Sequence, residues 1–195
     1  MTKRELIKKI IKKNEGFISS KELKENLIPY KLINELVKKQ ELEKIYRGLW
    51  FDWNYTNYDE TFMFLKDKKN YALSFQSSLY LHELTDRLPF KEEITTFNKN
   101  KTLLEEKFNI HKIKKDNFEL GLEKKKTIFG NKVNVYNMER TMCDITIDKD
   151  NQDPEIFENA WFYYINSKNK DLSRLKDYAL KLNCLNEIQA ILDSF

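Results

Sequence analysis

The stretch FISSKELKENLIPYKLINELVKKQELEKIYRGLWF, residues 17–51, decides the N-terminal fold of this 195-residue chain. Ser19 stands three residues before Glu22, the spacing of a reciprocal helix cap, and Ile18 can staple to Leu23 across the turn. The helix so opened is short and ends near Asn26. Pro29 fits the first position of a further helix, where its missing N–H removes no bond. In that helix Leu32, Ile33, Leu36 and Val37 face inward, leaving Tyr30, Lys31, Asn34, Glu35 and Lys38 outside. Residues 42–46 and 49–51 then read as two strands around Arg47-Gly48, where Gly48 can take the positive φ of a tight hairpin.

Upstream, Thr2 and Glu5 form a second capping box before the apolar stripe Leu6, Ile7, Ile10 and Ile11, and Gly16 ends that helix. Helix, short helix, helix, hairpin is the order of a winged helix-turn-helix, predicted for residues 1–54. In that arrangement the third helix enters the major groove and the hairpin lies along the phosphates. The residue types suit the chemistry. Ser19, Ser20 and Lys21 would present hydroxyls, backbone N–H groups and a cation at a helix start. Asn34 can bond adenine, Lys31 or Lys38 can reach guanine or phosphate, Tyr30 shares their face, and Arg47 suits a phosphate or the minor groove. Residues 1–48 carry 13 Lys+Arg against 7 Asp+Glu, a net +6, whereas the rest of the chain is slightly acidic. This is the charge division of a polyanion-binding head joined to a body with another task. A winged helix that contacts protein instead is the alternative.

The body, residues 55–195, reads as α+β after a joint at Trp53 to Tyr58. A helix is expected over residues 61–69, with Asn57 and Glu60 as its cap, then an extended segment at Tyr71 to Ser74 and a helix carrying Leu79 to His82. Strands are expected over 94–97, 110–114, 118–126 and 132–136, with a helix over 101–108. The helix MERTMCDITI follows at 138–147. Asp153 and Pro154 then open a helical tail over about 153–195, with further helices at 171–182 and 185–192. The fold class is thus α+β: an N-terminal winged helix-turn-helix, a mixed α/β domain and a helical C-terminal tail. No apolar run approaches the roughly 20 residues of a membrane helix, and residues 1–13 form an amphipathic helix rather than a secretion signal. Cys143 and Cys184 are expected as reduced, buried thiols, and the location as cytoplasmic.

Two motifs, ALSFQSSLYLHELTDRLPF (72–90) and FGNKVNVYNMERTMCDI (129–145), give the chain a specific resemblance. In this order behind a winged helix, they resemble the AbiEi family of antitoxins from bacterial type IV toxin–antitoxin systems. Family members carry patterns like S-x-x-(S/T)-A-L-Y-L-H-G-L-(T/S)-D-R-x-P and V-Y-D-x-E-R-T-(I/L)-C-D. Here Ser78 replaces Ala, Asn137 replaces Asp, and Glu83 replaces Gly, the last weighing against a tight turn directly after His82. The resemblance implies a transcriptional autorepressor that binds repeats in its own operon promoter. It also implies a body that counteracts a nucleotidyltransferase-type toxin.

His82, Asp86 and Arg87 lie close enough in sequence for proton-transfer chemistry, with His82 as the natural base. The competing expectation is structural: His82 finishes its helix, while Asp86 and Arg87 bond the loop and Arg140 or Asp144. His82 and His111 are far apart, with no ligand spacing between them, so no metal or cofactor is expected. Asp116 with Glu123-x-Lys125 is a nuclease-like pattern of low specificity in so Lys- and Glu-rich a chain. The sequence therefore predicts a DNA-binding autoregulator and antitoxin without enzymatic activity. A winged-helix regulator with a ligand-sensing or dimerising body, or a nuclease-like enzyme, are the alternatives.

Overall fold

The computed structural model describes residues 1–66, 68–98 and 103–195. The chain divides into two compact units, Met1–Met63 and Phe64–Phe195.

In the first unit, α1 (Lys3–Lys13) and α2 (Ser20–Glu25) both open on capping boxes, Thr2 with Glu5 and Ser19 with Glu22. α3 spans Tyr30–Lys38, and the strands β2 (Glu43–Tyr46) and β3 (Leu49–Phe51) form the hairpin. Pro29 sits one residue earlier than expected, extended at φ −65° and ψ 135° in the capping position, so α3 begins without a side-chain cap. A further strand, β1 (Phe17–Ser19), pairs antiparallel with β3, and the sheet order is β1-β3-β2. Ile7, Ile18, Leu23 and Ile33 are fully buried between this sheet and the three helices.

The division between the units falls within α4 (Glu60–Leu65), shorter than the expected 61–69, of which residue 67 lies outside the described residues. The second unit holds β4 (Tyr71–Leu73), β5 (Glu93–Thr96), β6 (Asn109–Lys112), β7 (Leu122–Lys126) and β8 (Lys132–Tyr136) in the order β6-β5-β4-β8-β7. β4–β8 and β5–β6 are parallel, β4–β5 and β7–β8 antiparallel. Of the helix expected at 101–108, residues 101 and 102 lie outside the described residues, and Leu103–Glu106 forms a single 3-10 turn.

The strand expected from 118 starts only at Leu122. Arg140 draws in the carbonyls of Asn117 and Leu120, and Gly121 turns at φ +77°, its own carbonyl accepting the Asn137 N–H at 2.7 Å. Side-chain demand from a later helix thus bends a segment whose residues alone look extended.

Among the described residues, five α-helices complete this unit: α5 (Phe75–Leu81), α6 (Met138–Ile147), α7 (Pro154–Asn166), α8 (Leu172–Leu182) and α9 (Leu185–Leu192). α6 is the central one, packing against α5, α7, α8 and α9. Leu79, Met142, Ile145, Trp161, Leu175 and Ile188 form the buried apolar centre, which also takes in Cys143 and Cys184, both free thiols. The architecture is mixed α+β: N-terminal helices with a small antiparallel sheet, a five-stranded mixed sheet and a helical C-terminal region. Among the described residues no helix is long and apolar enough to cross a membrane.

One helix ending recurs. Past α1, α2, α3, α5 and α8 the chain turns through a left-handed residue: Glu15, Leu27, Gln40, Glu83 and Asn183, with φ between 52° and 60°. The next N–H returns to a carbonyl in the last turn, as Ile28 to Leu23 at 2.8 Å and Leu84 to Leu79 at 2.9 Å. Glycine is the usual residue at such a position because it has no Cβ to strain. Leu27 has no packing reason to be there, being 80% exposed. Leu27→Gly is therefore expected to raise stability in urea unfolding by about 0.5–1 kcal/mol. Gly48 is the opposite case. It turns the β2–β3 hairpin at φ +79°, and a Cβ there would collide with Ser20 Oγ. Gly48→Ala is expected to cost about 2 kcal/mol in the same measurement.

Candidate functional site

The cationic residues singled out in the first unit are exposed. Along α3, Tyr30, Lys31, Asn34 and Lys38 face solvent while Ile33 and Leu36 are buried, so the four share one accessible face. Tyr30 packs edge-on against Trp50 of β3, ring centroids 6.0 Å apart, which fixes where its hydroxyl end emerges. Arg47 is exposed at the hairpin turn, and Lys21 is exposed at the start of α2, 3.8 Å from Glu25.

Ser19 and Ser20 are committed to the fold itself. Ser19 Oγ donates to Glu22 Oε2 at 2.8 Å and accepts the Glu22 N–H, closing the capping box. Ser20 donates both its N–H, at 2.7 Å, and its hydroxyl, at 3.1 Å, to the Gly48 carbonyl. These two bonds fasten the hairpin turn to the start of α2. Four of the expected contact residues are thus aligned on α3, Lys21 and Arg47 are exposed on α2 and the hairpin turn, and the two serines hold the frame.

In the second unit the motif residues divide into two sets. Glu139 and Arg140 are 2% and 1% exposed on α6. Arg140 Nε donates to Asp144 Oδ1 at 2.8 Å, its NH1 donates to the carbonyls of Asn117 at 2.6 Å and Leu120 at 3.0 Å, and its guanidinium lies 4.4 Å above the Tyr136 ring. Burial holds the Asp144 carboxyl above its ordinary pKa, against the opposing pull of Arg140. Glu139 accepts the Asp171 N–H at 3.0 Å, the Tyr164 hydroxyl at 3.4 Å and Arg174 NH1 at 3.4 Å, and so ties α6 to α7 and α8. The Asn137 side chain caps α6 through the Arg140 N–H at 3.0 Å.

The other set surrounds His82, which closes α5. Its Nε2 is 2.8 Å from the Tyr136 carbonyl and its Nδ1 is 3.0 Å from Lys125 Nζ. A carbonyl can only accept and an ammonium can only donate, so Nε2 carries the proton and Nδ1 offers its lone pair. The imidazole is neutral, and burial together with the Lys125 charge lowers its pKa to about 4. Glu123 Oε1 lies 3.7 Å from Nε2 on the same face of β7, its carboxyl pushed up mainly by burial. Ser78, one turn earlier on α5, donates to the Tyr136 carbonyl at 2.9 Å and sits 2.7 Å from Thr141 Oγ1, which joins α5 to α6.

The left-handed turn directly after His82 is present although the residue there is Glu83 and not glycine, with φ 59°. The expectation that this substitution opposes a tight turn is overturned: the Leu84 N–H still closes the helix end. Arg87 does not reach Arg140 or Asp144. It pairs with Glu155 at 2.5 Å and Asp153 at 3.8 Å, fastening the loop to the start of α7. Asp86 is exposed on the rim of a cavity of about 580 Å³ that also touches Tyr80, Glu83, Lys125 and Tyr163. Lys125, considered in sequence only for a nuclease-like pattern, emerges as a member of this site. Strand alternation could have placed it on the face of Glu123, but only the fold brings both to His82. Among the described residues no group of three His, Cys, Asp or Glu side chains is placed to hold a metal ion.

The neutral His82 gives the stability of this unit a pH dependence with a fixed sign. Unfolded, the imidazole titrates near 6.5, and folded near about 4, so the unfolded chain takes up the proton first. This contribution is complete above about pH 6.5, is lost as pH falls toward 4, and amounts to about 3 kcal/mol. Urea midpoints of the protein and of His82→Asn between pH 7 and 4 should converge as acid is added. A difference that does not change with pH would contradict the neutral tautomer. Arg140→Met, which strands Asp144 and two carbonyls, is expected to cost about 3–5 kcal/mol in the same assay at pH 7.

No protein-family model and no curated protein matches the sequence. The fold has a solved counterpart in the crystal structure of the RV2827C protein from Mycobacterium tuberculosis, with a TM-score of 0.58 over 96% of this chain and 79% of that one, at 12% identity. At that identity the similarity is one of fold alone.

Proposed function

We propose that this chain is a DNA-binding transcriptional autorepressor and antitoxin, with residues 1–54 acting as a winged helix-turn-helix and the remainder as the body that counteracts a nucleotidyltransferase-type toxin. The observation that carries the DNA-binding reading is the α3 face. Tyr30, Lys31, Asn34 and Lys38 are exposed along one side of a helix whose other side is anchored in the core. A helix so presented fits the major groove, and Arg47 at the hairpin turn is suited to the flanking phosphates. The +6 charge of residues 1–48 supports a polyanionic partner over a protein one. The serines contribute indirectly, because Ser20 sets the hairpin turn against α2.

The antitoxin half of the proposal rests on the two motifs of the second unit. Many of their polar residues are spent on internal structure, while Glu83 and Asp86 of the first motif remain exposed on the cavity that Lys125 also lines. A cytoplasmic protein without enzymatic activity is the reading that goes with this role.

Lys31→Ala with Arg47→Ala is expected to weaken binding to the operon's own promoter fragment by about tenfold or more while the unfolding curve stays unchanged. With about five phosphate contacts, log K should fall against log salt with a slope of about −4 to −5 in the parent protein, shallower in the double variant. A slope near zero would remove the DNA-binding assignment. For the body, co-expression with the neighbouring toxin separates the roles. A His82→Ala protein that folds and binds DNA yet fails to protect cells places the activity at the α5–β7 site.

A further inference from the structure

Lys125 has hydrogen-bonding capacity to spare. Its ammonium donates one hydrogen bond to the His82 Nδ1 lone pair, and the Tyr136 carbonyl, by accepting from Nε2–H, keeps that lone pair available. Two N–H groups remain. Its strand neighbour Glu123 feels its charge, but that carboxylate meets His82 on the other ring nitrogen, and among the described residues no carboxylate forms a direct ion pair with Lys125. The side chain is half-buried, so water alone compensates its charge poorly. It faces the cavity of about 580 Å³, a volume that suits a small metabolite.

Apart from the exposed Lys126, the rest of the cavity is built differently. Glu83 and Asp86 both line it, and Tyr80 and Tyr163 supply aromatic walls. Glu83 holds its left-handed conformation where glycine would be less strained, so its carboxylate stands at the cavity mouth at a conformational cost. Carboxylates on this rim repel a second negative group and accept hydrogen bonds from hydroxyl or amino donors.

We propose that this cavity binds a small molecule carrying one oxyanion, a phosphate monoester or a carboxylate, seated on Lys125, with hydroxyl or amino groups turned toward Glu83 and Asp86. His82 is a positioning residue in this site: it aims the ammonium and does not touch the ligand. The site lies wholly within the second unit and is independent of the DNA-binding reading of the first.

The test is a titration of the full-length, isotope-labelled protein with inorganic phosphate and, separately, with acetate, each against chloride at equal ionic strength and followed by amide chemical shifts. Saturable shifts centred on residues 82–86 and 125–128, with an apparent Kd on the order of 1 mM, are expected with at least one of the two anions. The one that binds names the phosphate or the carboxylate class. Lys125→Met should weaken this binding at least tenfold, while Lys168→Met, a change at an exposed lysine elsewhere in the unit, leaves it unaltered. Shifts matched by chloride, shifts centred elsewhere, or equal binding by Lys125→Met would each overturn the proposal. Mapping on the parent protein is decisive even where the lysine variant fails to fold.

Discussion

The buried guanidinium of Arg140 is the interaction on which the larger unit depends. A charge that is 1% exposed must be fully satisfied within the protein, and here it takes a carboxylate, two carbonyls and the face of an aromatic ring. Each partner comes from a different place. Asp144 is one turn along the same helix, Asn117 and Leu120 belong to the loop before β7, and Tyr136 ends β8. Satisfying one side chain therefore sets where the loop bends and where β7 begins. Once β7 begins at Leu122, the alternation of the strand puts Glu123 and Lys125 on the side of His82. The geometry around His82 is in this sense a consequence of Arg140, which never touches it.

The small unit has a comparable fastening that uses no charge. The Gly48 carbonyl at the hairpin turn accepts both the N–H and the hydroxyl of Ser20, so the turn is held at the start of α2 by two short bonds. Any substituent on Gly48 would occupy the space where that hydroxyl lies. The tip of the hairpin is thereby held in a fixed relation to the start of α2.

Much of this was legible in the residues because it is local. Capping boxes at Thr2 and Ser19, the apolar faces of α1 and α3, the Asp153-Pro154 start of α7 and the bounds of α6 all follow from spacings of three or four residues. What escaped was non-local. β1 is three residues long and exists because β3 offers it a partner. The segment after Phe118 alternates like a strand, but it bends because Arg140, about twenty positions later, claims its carbonyls. Arg87 finds Glu155 across a span of 68 residues, and no short-range rule selects that partner over Asp144. Lys125 was legible only as one of many lysines. Its importance rests on a distance of 3.0 Å to a histidine 43 positions away.

The left-handed helix endings carry a consequence for how this protein's history can be interpreted. At Glu15, Leu27, Gln40, Glu83 and Asn183 the backbone would be better served by glycine, so drift at these sites should run toward glycine whenever the side chain does nothing. A lineage that keeps a larger residue there against that pull is retaining the side chain for its own sake. Comparing relatives at these five positions would separate selection from chance without an assay. Glu83, beside His82 and on the cavity rim, is where that comparison is most informative.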